Sequence, residues 1–418
     1  MNLPRSRRNS ASLRRWVSAA LIALQAACSP YTAVSYPESR MPAERPFVIA
    51  HRGASGYRPE HTLESYALAI EQGADAIEPD LVVTRDGVLI CRHENEIGGT
   101  TDVAQHAEFA DRRTRKRIDG EQIEGWFAED FTLAEIRTLR ARERLPELRP
   151  ANTRYDGMFL IPTFAEVIAL AATSTRPVAI YPETKHPTYF EHEGRYLDGT
   201  PIARSTSALL VDELVRSGFR ETARVYIQSF ELANLIELRT RLLPAAGLDA
   251  RLMQLFGDTD DVTPQNATFA LPYDLRWHAA RGDDLDALYP GLREVLRQPG
   301  AAPVSYGDLT KPAVLRWMRE RYAYGIAPWK DNLFERARDG TRAVRLTGAV
   351  SPLIDAAHAA GLHIHAYTLR VETPFLLPDE HGATLSMEQE LQRLLDAGID
   401  GCFADFPDRA VLLRDATR

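Results

Sequence analysis

Short β-type runs alternate with helix-period segments along most of this 418-residue chain. That alternation narrows its possible folds more than any other feature. Residues 47–50 form an apolar run ending at His51. Leu63, Tyr66, Ala67 and Ile70 then recur at i, i+3, i+4 and i+7, a helix begun near Thr62 and stopped at Gly73. Residues 76–83 read as a strand, Asp86-Gly87 as a tight turn, and residues 88–92 as the next strand, ending at His93. Residues 94 to about 162 break the rhythm and read as an insertion rich in Arg and Glu, with one helix start where Thr132 and Glu135 can form a capping box. The alternation resumes with a second capping box, Thr163 with Glu166, opening a helix that bears Phe164, Val167, Ile168 and Ala171. Strands are expected at 178–183, 223–230, 250–256, 324–328, 363–369 and 399–404. Further helices start at Ser351-Pro352, stopped by Gly361, and at Ser386 with Gln389, stopped by Gly398. Residues 257–320 read as a long loop with helices.

About eight strands, each followed by a helix, imply a parallel sheet, and over a chain of this length a closed (β/α)8 TIM barrel with an insertion. An open doubly wound sheet is the alternative, but no glycine-rich dinucleotide turn follows the first strand. A composition of 44% hydrophobic and 26% charged residues supplies a large core and excludes a disordered chain. Three cysteines exclude a disulfide-built scaffold, and a formal net charge of −8 argues against a nucleic-acid partner. The basic run 112–117 then reads as the solvated surface of the insertion. Cys91 and Cys402, in apolar runs, read as buried small hydrophobes.

Residues 1–28 have the pattern of an export signal. Arg5, Arg7, Arg8, Arg14 and Arg15 precede an apolar run over 16–24, too short for a bilayer span, and small Ala26 and Ala27 follow. Cys28 stands where a lipoprotein signal puts its modified cysteine, so lipidation and simple cleavage nearby both fit. Residues 29–46, rich in Pro, Ser and Tyr, read as a tether to a domain spanning 47–413. The mature protein is expected to be periplasmic, lipid-anchored through Cys28, or secreted.

In a barrel of this kind the active site lies at the carboxyl ends of the strands. His51 and Arg52 end the first strand, Glu78 and Asp80 lie in the second, His93 ends the third, and Glu183 and Lys185 end the strand after the insertion. Residues two apart share a face of a strand, so Glu78 points with Asp80 and Glu183 with Lys185. Carboxylates converging inside a barrel repel unless a cation lies between them, and an all-oxygen set suits Ca²⁺ or Mg²⁺ better than zinc. His51 and His93 suit a proton-transfer pair, one holding a proton while the other accepts one. Arg52 and Lys185 suit an anion whose charge grows in the transition state, as in phosphoryl transfer. The other histidines, His61, His186 and His278 among them, read as surface or satisfied core residues. The pair His363 and His365 could hold zinc, but no carboxylate pattern accompanies it. No P-loop, H-E-x-x-H or G-x-S-x-G elbow is present.

The segment from Ala50-His51-Arg52-Gly53 through Pro59-Glu60-His61-Thr62-Leu63 closely resembles the start of bacterial periplasmic glycerophosphodiester phosphodiesterases. Ile77-Glu78 with Asp80, Thr84 with Asp86-Gly87, His93, Tyr181-Pro182-Glu183-Thr184-Lys185, Ile227-Gln228-Ser229-Phe230, Ala366-Tyr367-Thr368-Leu369-Arg370 and Ala404-Asp405-Phe406-Pro407-Asp408 are similar to later landmarks of that family. The likeness runs from about residue 47 to 413. It implies a barrel of the type shared with phosphatidylinositol-specific phospholipases, and a small-molecule glycerophosphodiester substrate. It further implies a divalent ion, usually Ca²⁺, on Glu78, Asp80 and Glu183, acid–base roles for His51 and His93, and phosphate contacts from Arg52 and Lys185. The chain departs from many members at His61, where Asn is usual, and at Glu94, where Asp is usual. Two other readings are a lysophospholipase D-like enzyme, which needs an apolar groove at the barrel mouth that the segment 257–320 could supply, and a catalytically silent binding barrel.

Overall fold

The computed structural model describes residues 45–297, 303–338 and 344–417. The leader 1–28 and all but the last two residues of the tether 29–46 lie outside the described residues. In chain order the strands are β1 Phe47–His51, β2 Ala76–Glu78, β3 Asp80–Val83, β4 Leu89–Cys91, β5 Thr114–Ile118, β6 Glu121–Gly125, β7 Ala179–Ile180 and β8 Glu183–Thr184. There follow β9 Tyr226–Ser229, β10 Arg251–Phe256, β11 Gly325–Pro328, β12 Phe334–Arg338, β13 Val344–Val350, β14 His363–Leu369 and β15 Gly401–Ala404.

Pro79 divides β2 from β3, and Pro182 lies between β7 and β8. Proline has no N–H for the ladder, so each pair is one strand interrupted. Counted so, eight parallel strands close on themselves. β1 pairs with β2, β2 with β7, β3 with β8, β8 with β9, then β9, β10, β11, β14 and β15 pair in turn, and β15 returns to β1. Helices cover the outside. Thr62 caps Leu63–Glu71, and capping boxes open Phe164–Ala172 and Met387–Asp396 at Thr163/Glu166 and Ser386/Gln389.

One expectation is corrected. Residues 88–92 do not supply the third barrel strand: β4 runs antiparallel to β3. The turn at Asp86-Gly87 is far too short for the crossover that a parallel neighbour needs. The third barrel strand is β7/β8, and His93 reaches the mouth from the end of a hairpin. The antiparallel hairpin β12/β13 has no counterpart in the sequence reading.

The insertion carries the hairpin β5/β6. Strand alternation splits its basic run: Arg115 pairs with Glu124 at 2.8 Å on the exposed side, while Lys116, 10% exposed, turns inward to Asp130 and Glu129 at 2.7 and 3.0 Å. Cys91 and Cys402 are free and buried, as their apolar runs suggested. Burial pushes the Cys402 thiol up to about 12, which keeps it inert. Among the described residues no helix is long and apolar enough to cross a membrane.

Candidate active site

Alternation along each barrel strand sends one set of side chains inward. Ile49, Ala76, Ala179, Tyr181, Tyr226 and Phe403 fill the interior as one buried cluster. Two residues further along the same faces stand His51, Glu78, Glu183, Gln228 and Asp405. The register then places them side by side: His51 opposite Glu78, Asp80 opposite Glu183, and Glu183 opposite Gln228. Apolar packing below thus ends in a polar layer at the strands' carboxyl ends.

Glu78, Asp80 and Glu183 are all buried and bring one oxygen each within 4.8 Å of one another. The Arg52 backbone N–H donates to Glu78 Oε2 at 2.8 Å, and Gln228 Nε2 donates to Glu78 Oε1 at 3.2 Å. His61 Nε2 lies 2.9 Å from Asp80 Oδ2, and Lys185 Nζ donates to Glu183 Oε1 at 2.8 Å and lies 3.7 Å from Asp80 Oδ1. Burial, then the neighbouring Asp80 charge, pushes the Glu78 carboxyl well above its ordinary range. Burial also raises Glu183, to about 7, against the pull of Lys185. Burial opposes ionisation of Asp80 as well, but Lys185, His93, His61 and Arg52 outweigh it and hold it well below the usual value. Asp80 Oδ1 is buried and takes no hydrogen bond among the described residues. Carboxylates converging at this distance with a spare oxygen fit a hard divalent cation.

His51 Nδ1 lies 2.6 Å from Asp405 Oδ1, and His93 Nδ1 is hydrogen-bonded to Glu94. In both rings Nε2 is the nitrogen left for other work. Burial, then Arg52, lowers His51 to about 4 and His93 to about 3, the attached carboxylates only partly compensating. Burial thus favours the neutral form of both imidazoles at pH 7 in the free protein. An anion bound in a cavity that both rings line would raise both.

Arg52 has a left-handed backbone, φ 59°, unusual for a side-chain-bearing residue. That turn aims its N–H at Glu78, while its guanidinium donates from Nη1 to Glu60 at 3.1 Å and lies 3.3 Å from Asp80. Strained non-glycine backbone at such a place is a feature of functional sites.

A cavity of about 510 Å³ opens onto these groups; His51, Arg52, Glu78, His93, Glu183 and Lys185 line it, and Asp80 lies behind them. The structure thus brings together the seven residues expected at the strand ends, His51, Arg52, Glu78, Asp80, His93, Glu183 and Lys185. The same cavity has an apolar wall as well, with Leu255, Phe269, Leu271, Tyr306, Trp329 and Phe375 in its lining. His365 holds no metal cluster among the described residues; its Nδ1 meets the Tyr181 hydroxyl at 3.1 Å inside the barrel.

Asp405, Gln228 and Glu94 were seen only as landmarks or departures, although Asp405 follows the last barrel strand directly, which position alone could have signalled. Glu60, Arg144 and Arg149 carried no periodic signal.

A sequence profile of the Glycerophosphoryl diester phosphodiesterase family matches residues 51–409. A glycerophosphodiester phosphodiesterase of Arabidopsis thaliana is 31% identical over 373 residues, 87% of this chain and 84% of that one. Another from Haemophilus influenzae is 30% identical over 399 residues, 92% and 94% of the two chains. In fold, a Silicibacter pomeroyi protein of known crystal structure superposes with a TM-score of 0.52 at 20% identity, covering 89% of this chain and 93% of that one.

Proposed function

The chain belongs to the glycerophosphoryl diester phosphodiesterase family and is a glycerophosphodiester phosphodiesterase, and we propose that His51 and His93 are its acid–base pair, with Arg52 and Lys185 binding the phosphate and Glu78, Asp80 and Glu183 holding Ca²⁺. The observation that carries this reading is the buried carboxylate triad and the two carboxylate-tethered histidines facing one cavity. Mg²⁺ is the competing ion; Ca²⁺ is favoured because it accepts irregular oxygen sets.

The reaction hydrolyses a glycerophosphodiester, such as glycerophosphocholine, consuming one water and giving glycerol 3-phosphate and an alcohol. A divalent cation on the triad supplies Lewis-acid stabilisation of phosphate charge. The chain's own residues do the rest. Arg52 and Lys185 present positive charge to the phosphate oxygens, and this matters most where the field is least screened, inside the cavity. One histidine takes a proton at Nε2 from the attacking oxygen, while the other, protonated once the anionic substrate is bound, returns a proton to the departing alcohol oxygen. Glu94 and Asp405 hold each Nδ1, so each Nε2 stays directed at the substrate.

The test is an enzyme-coupled assay of glycerol 3-phosphate release from glycerophosphocholine, glycerophosphoethanolamine and glycerophosphoglycerol, with and without chelator. Chelator-sensitive release is expected; release of no glycerol 3-phosphate, or release indifferent to chelator, overturns the reading. The apolar wall, to which Phe269, Leu271 and Tyr306 of the segment 257–320 contribute, favours a second substrate type, a lysophospholipid whose acyl chain lies against it. Choline release from lysophosphatidylcholine vesicles, compared with soluble glycerophosphocholine, separates the two. The basic, apolar and small-residue order of residues 1–28 supports export, to the periplasm or as a Cys28-anchored or secreted protein. Cell fractionation with a Cys28→Ser variant tests the anchor.

A further inference from the structure

The insertion makes a turn at the barrel mouth where the N–H groups of Leu148 and Arg149 donate to the Leu145 carbonyl at 3.0 and 2.7 Å. An arginine stands on each side of that turn. Arg144 spreads its fork over two carboxylates, donating to Glu60 at 2.8 and 2.7 Å and to Glu94 at 3.1 and 2.5 Å. Glu94 engages His93 Nδ1, and Glu60 accepts from Arg52. Arg149, its side chain only 6% exposed, donates to Asp405 Oδ2 at 2.5 Å, to Glu372 at 2.5 Å and to the Ser55 carbonyl at 3.0 Å. Arg370 Nε shares that Oδ2, donating to it at 3.0 Å from the cavity side, and the other oxygen of Asp405 engages His51 Nδ1.

We propose that this turn of the insertion is a positioning device for both histidines, Arg144 acting through Glu94 and Arg149 through Asp405. The inference rests on the acid–base reading above and adds to it that one short segment, outside the barrel strands, sets the tautomer and aim of both rings. A free carboxylate can rotate about its last bonds, and inside this cleft Glu94 would turn toward Arg52 and Asp405 toward Arg370 alone. A planar guanidinium bonded to it fixes both its plane and its second oxygen. The first oxygen then stays on Nδ1 as an acceptor, which selects the Nδ1–H tautomer and leaves Nε2 with its lone pair toward the cavity. Burial works against ionised Glu94 and ionised Asp405, but the charges around them win, and both carboxyls lie well below the usual range. Neither arginine lines the cavity, so neither is a catalytic residue. Lysine, a compact point charge, cannot span the two carboxylates that Arg144 joins.

The experiment uses Arg144→Met, Arg149→Met and the two Lys variants of the metal-loaded enzyme, with glycerophosphocholine as substrate. Expected are kcat losses on the order of 10-fold to 10²-fold with KM little changed, and only partial recovery in the Lys variants. The second readout is ¹⁵N NMR of histidine-labelled protein at pH 7. His51 and His93 should be Nδ1–H tautomers in the parent enzyme. Arg149→Met should disturb His51 alone, and Arg144→Met His93 alone. Unchanged tautomers, or kcat within twofold of the parent, overturn the proposal. Should the buried Arg149 variant not fold, Arg144→Met with its His93 signal decides alone, since that arginine is a quarter exposed. Failure of the acid–base reading looks different: His51→Ala and His93→Ala would then retain activity whatever the tautomers do.

Discussion

His51 Nδ1 and Asp405 Oδ1 lie 2.6 Å apart across a separation of 354 residues, tying the end of the first barrel strand to the residue after the last. Closure of the barrel makes the contact possible, since β1 and β15 are neighbours. Asp405→Asn tests what it does for the ring. The amide is nearly isosteric, but its NH2 can donate to Nδ1 and so select the opposite tautomer, with the proton on Nε2. Turnover should fall on the order of 10²-fold or more with KM within a few-fold and the fold intact by circular dichroism. Parent-like turnover would mean that the carboxylate does not set the tautomer.

Glu78 is 1% exposed, and its carboxyl is pushed well above its ordinary range by burial and then by Asp80. A carboxyl raised on folding costs stability as pH climbs past its unfolded value of 4.5. Without cation, then, burying this carboxyl weakens the fold at every pH above about 4.5, and Glu78→Gln relieves it. Gln228 Oε1, buried and without a hydrogen bond among the described residues, is available to the new amide. In chelator the variant should melt higher than the parent, by roughly 1–3 kcal/mol of stability. In excess Ca²⁺ the order should reverse, because the variant has lost a ligand. Calorimetry in both buffers decides, and a variant less stable in chelator as well would count against repulsion within the triad.

His365 sits inside the barrel among Phe47, Tyr181 and Tyr226, and burial lowers it to about 3 from 6.5. Its folded value is depressed, so the unfolded chain takes up a proton between those two pH values and the native state does not. Stability is therefore present above about 6.5 and drains away as pH falls toward 3, by on the order of a few kcal/mol in all. His365→Gln keeps an acceptor for the Tyr181 hydroxyl and removes this drain. Urea unfolding at pH 7 and pH 4.5 should show a smaller pH loss in the variant; an equal loss would place the acid sensitivity elsewhere, at His51 or His93.

The elements that were legible in the sequence are those whose signal is local. Helix starts at Thr62, Thr163 and Ser386 rest on a side chain and a partner three residues away. Glu78, Asp80 and Glu183 could be placed on the inner face because strand alternation is a two-residue rule, and it survives the interruptions at Pro79 and Pro182. What was not legible depends on contacts between distant segments. Arg144 reaches Glu60 across 84 residues and Arg149 reaches Asp405 across 256, and each lies in irregular chain with no period to mark it. The antiparallel course of β4 belongs to a different class, since the short turn before it, at Asp86-Gly87, already excluded a parallel crossover.

Gly257 ends the approach of β10 to the apolar wall, and a Cβ there would stand 1.8 Å from the Phe269 carbonyl oxygen. The obstacle is backbone, so it cannot rotate aside as a side chain could. That same carbonyl accepts the Asp258 N–H at 2.9 Å, which pins the segment carrying Phe269 and Leu271 against the barrel. Gly257→Ala should push this segment outward and cost about 1–3 kcal/mol. The triad and histidines stand on other strands, so kcat/KM for glycerophosphocholine should change less than about threefold. Use of a substrate that lies against the wall should suffer more, since each methylene withdrawn from apolar contact is worth about 0.8 kcal/mol, close to a fourfold change in binding. Short-chain lysophosphatidylcholines of increasing length, assayed below their micelle concentrations in both proteins, report this directly. A chain-length dependence in the parent that flattens in Gly257→Ala places the acyl chain on Phe269 and Leu271, and parallel dependences in the two proteins would show that the wall takes no part in binding it.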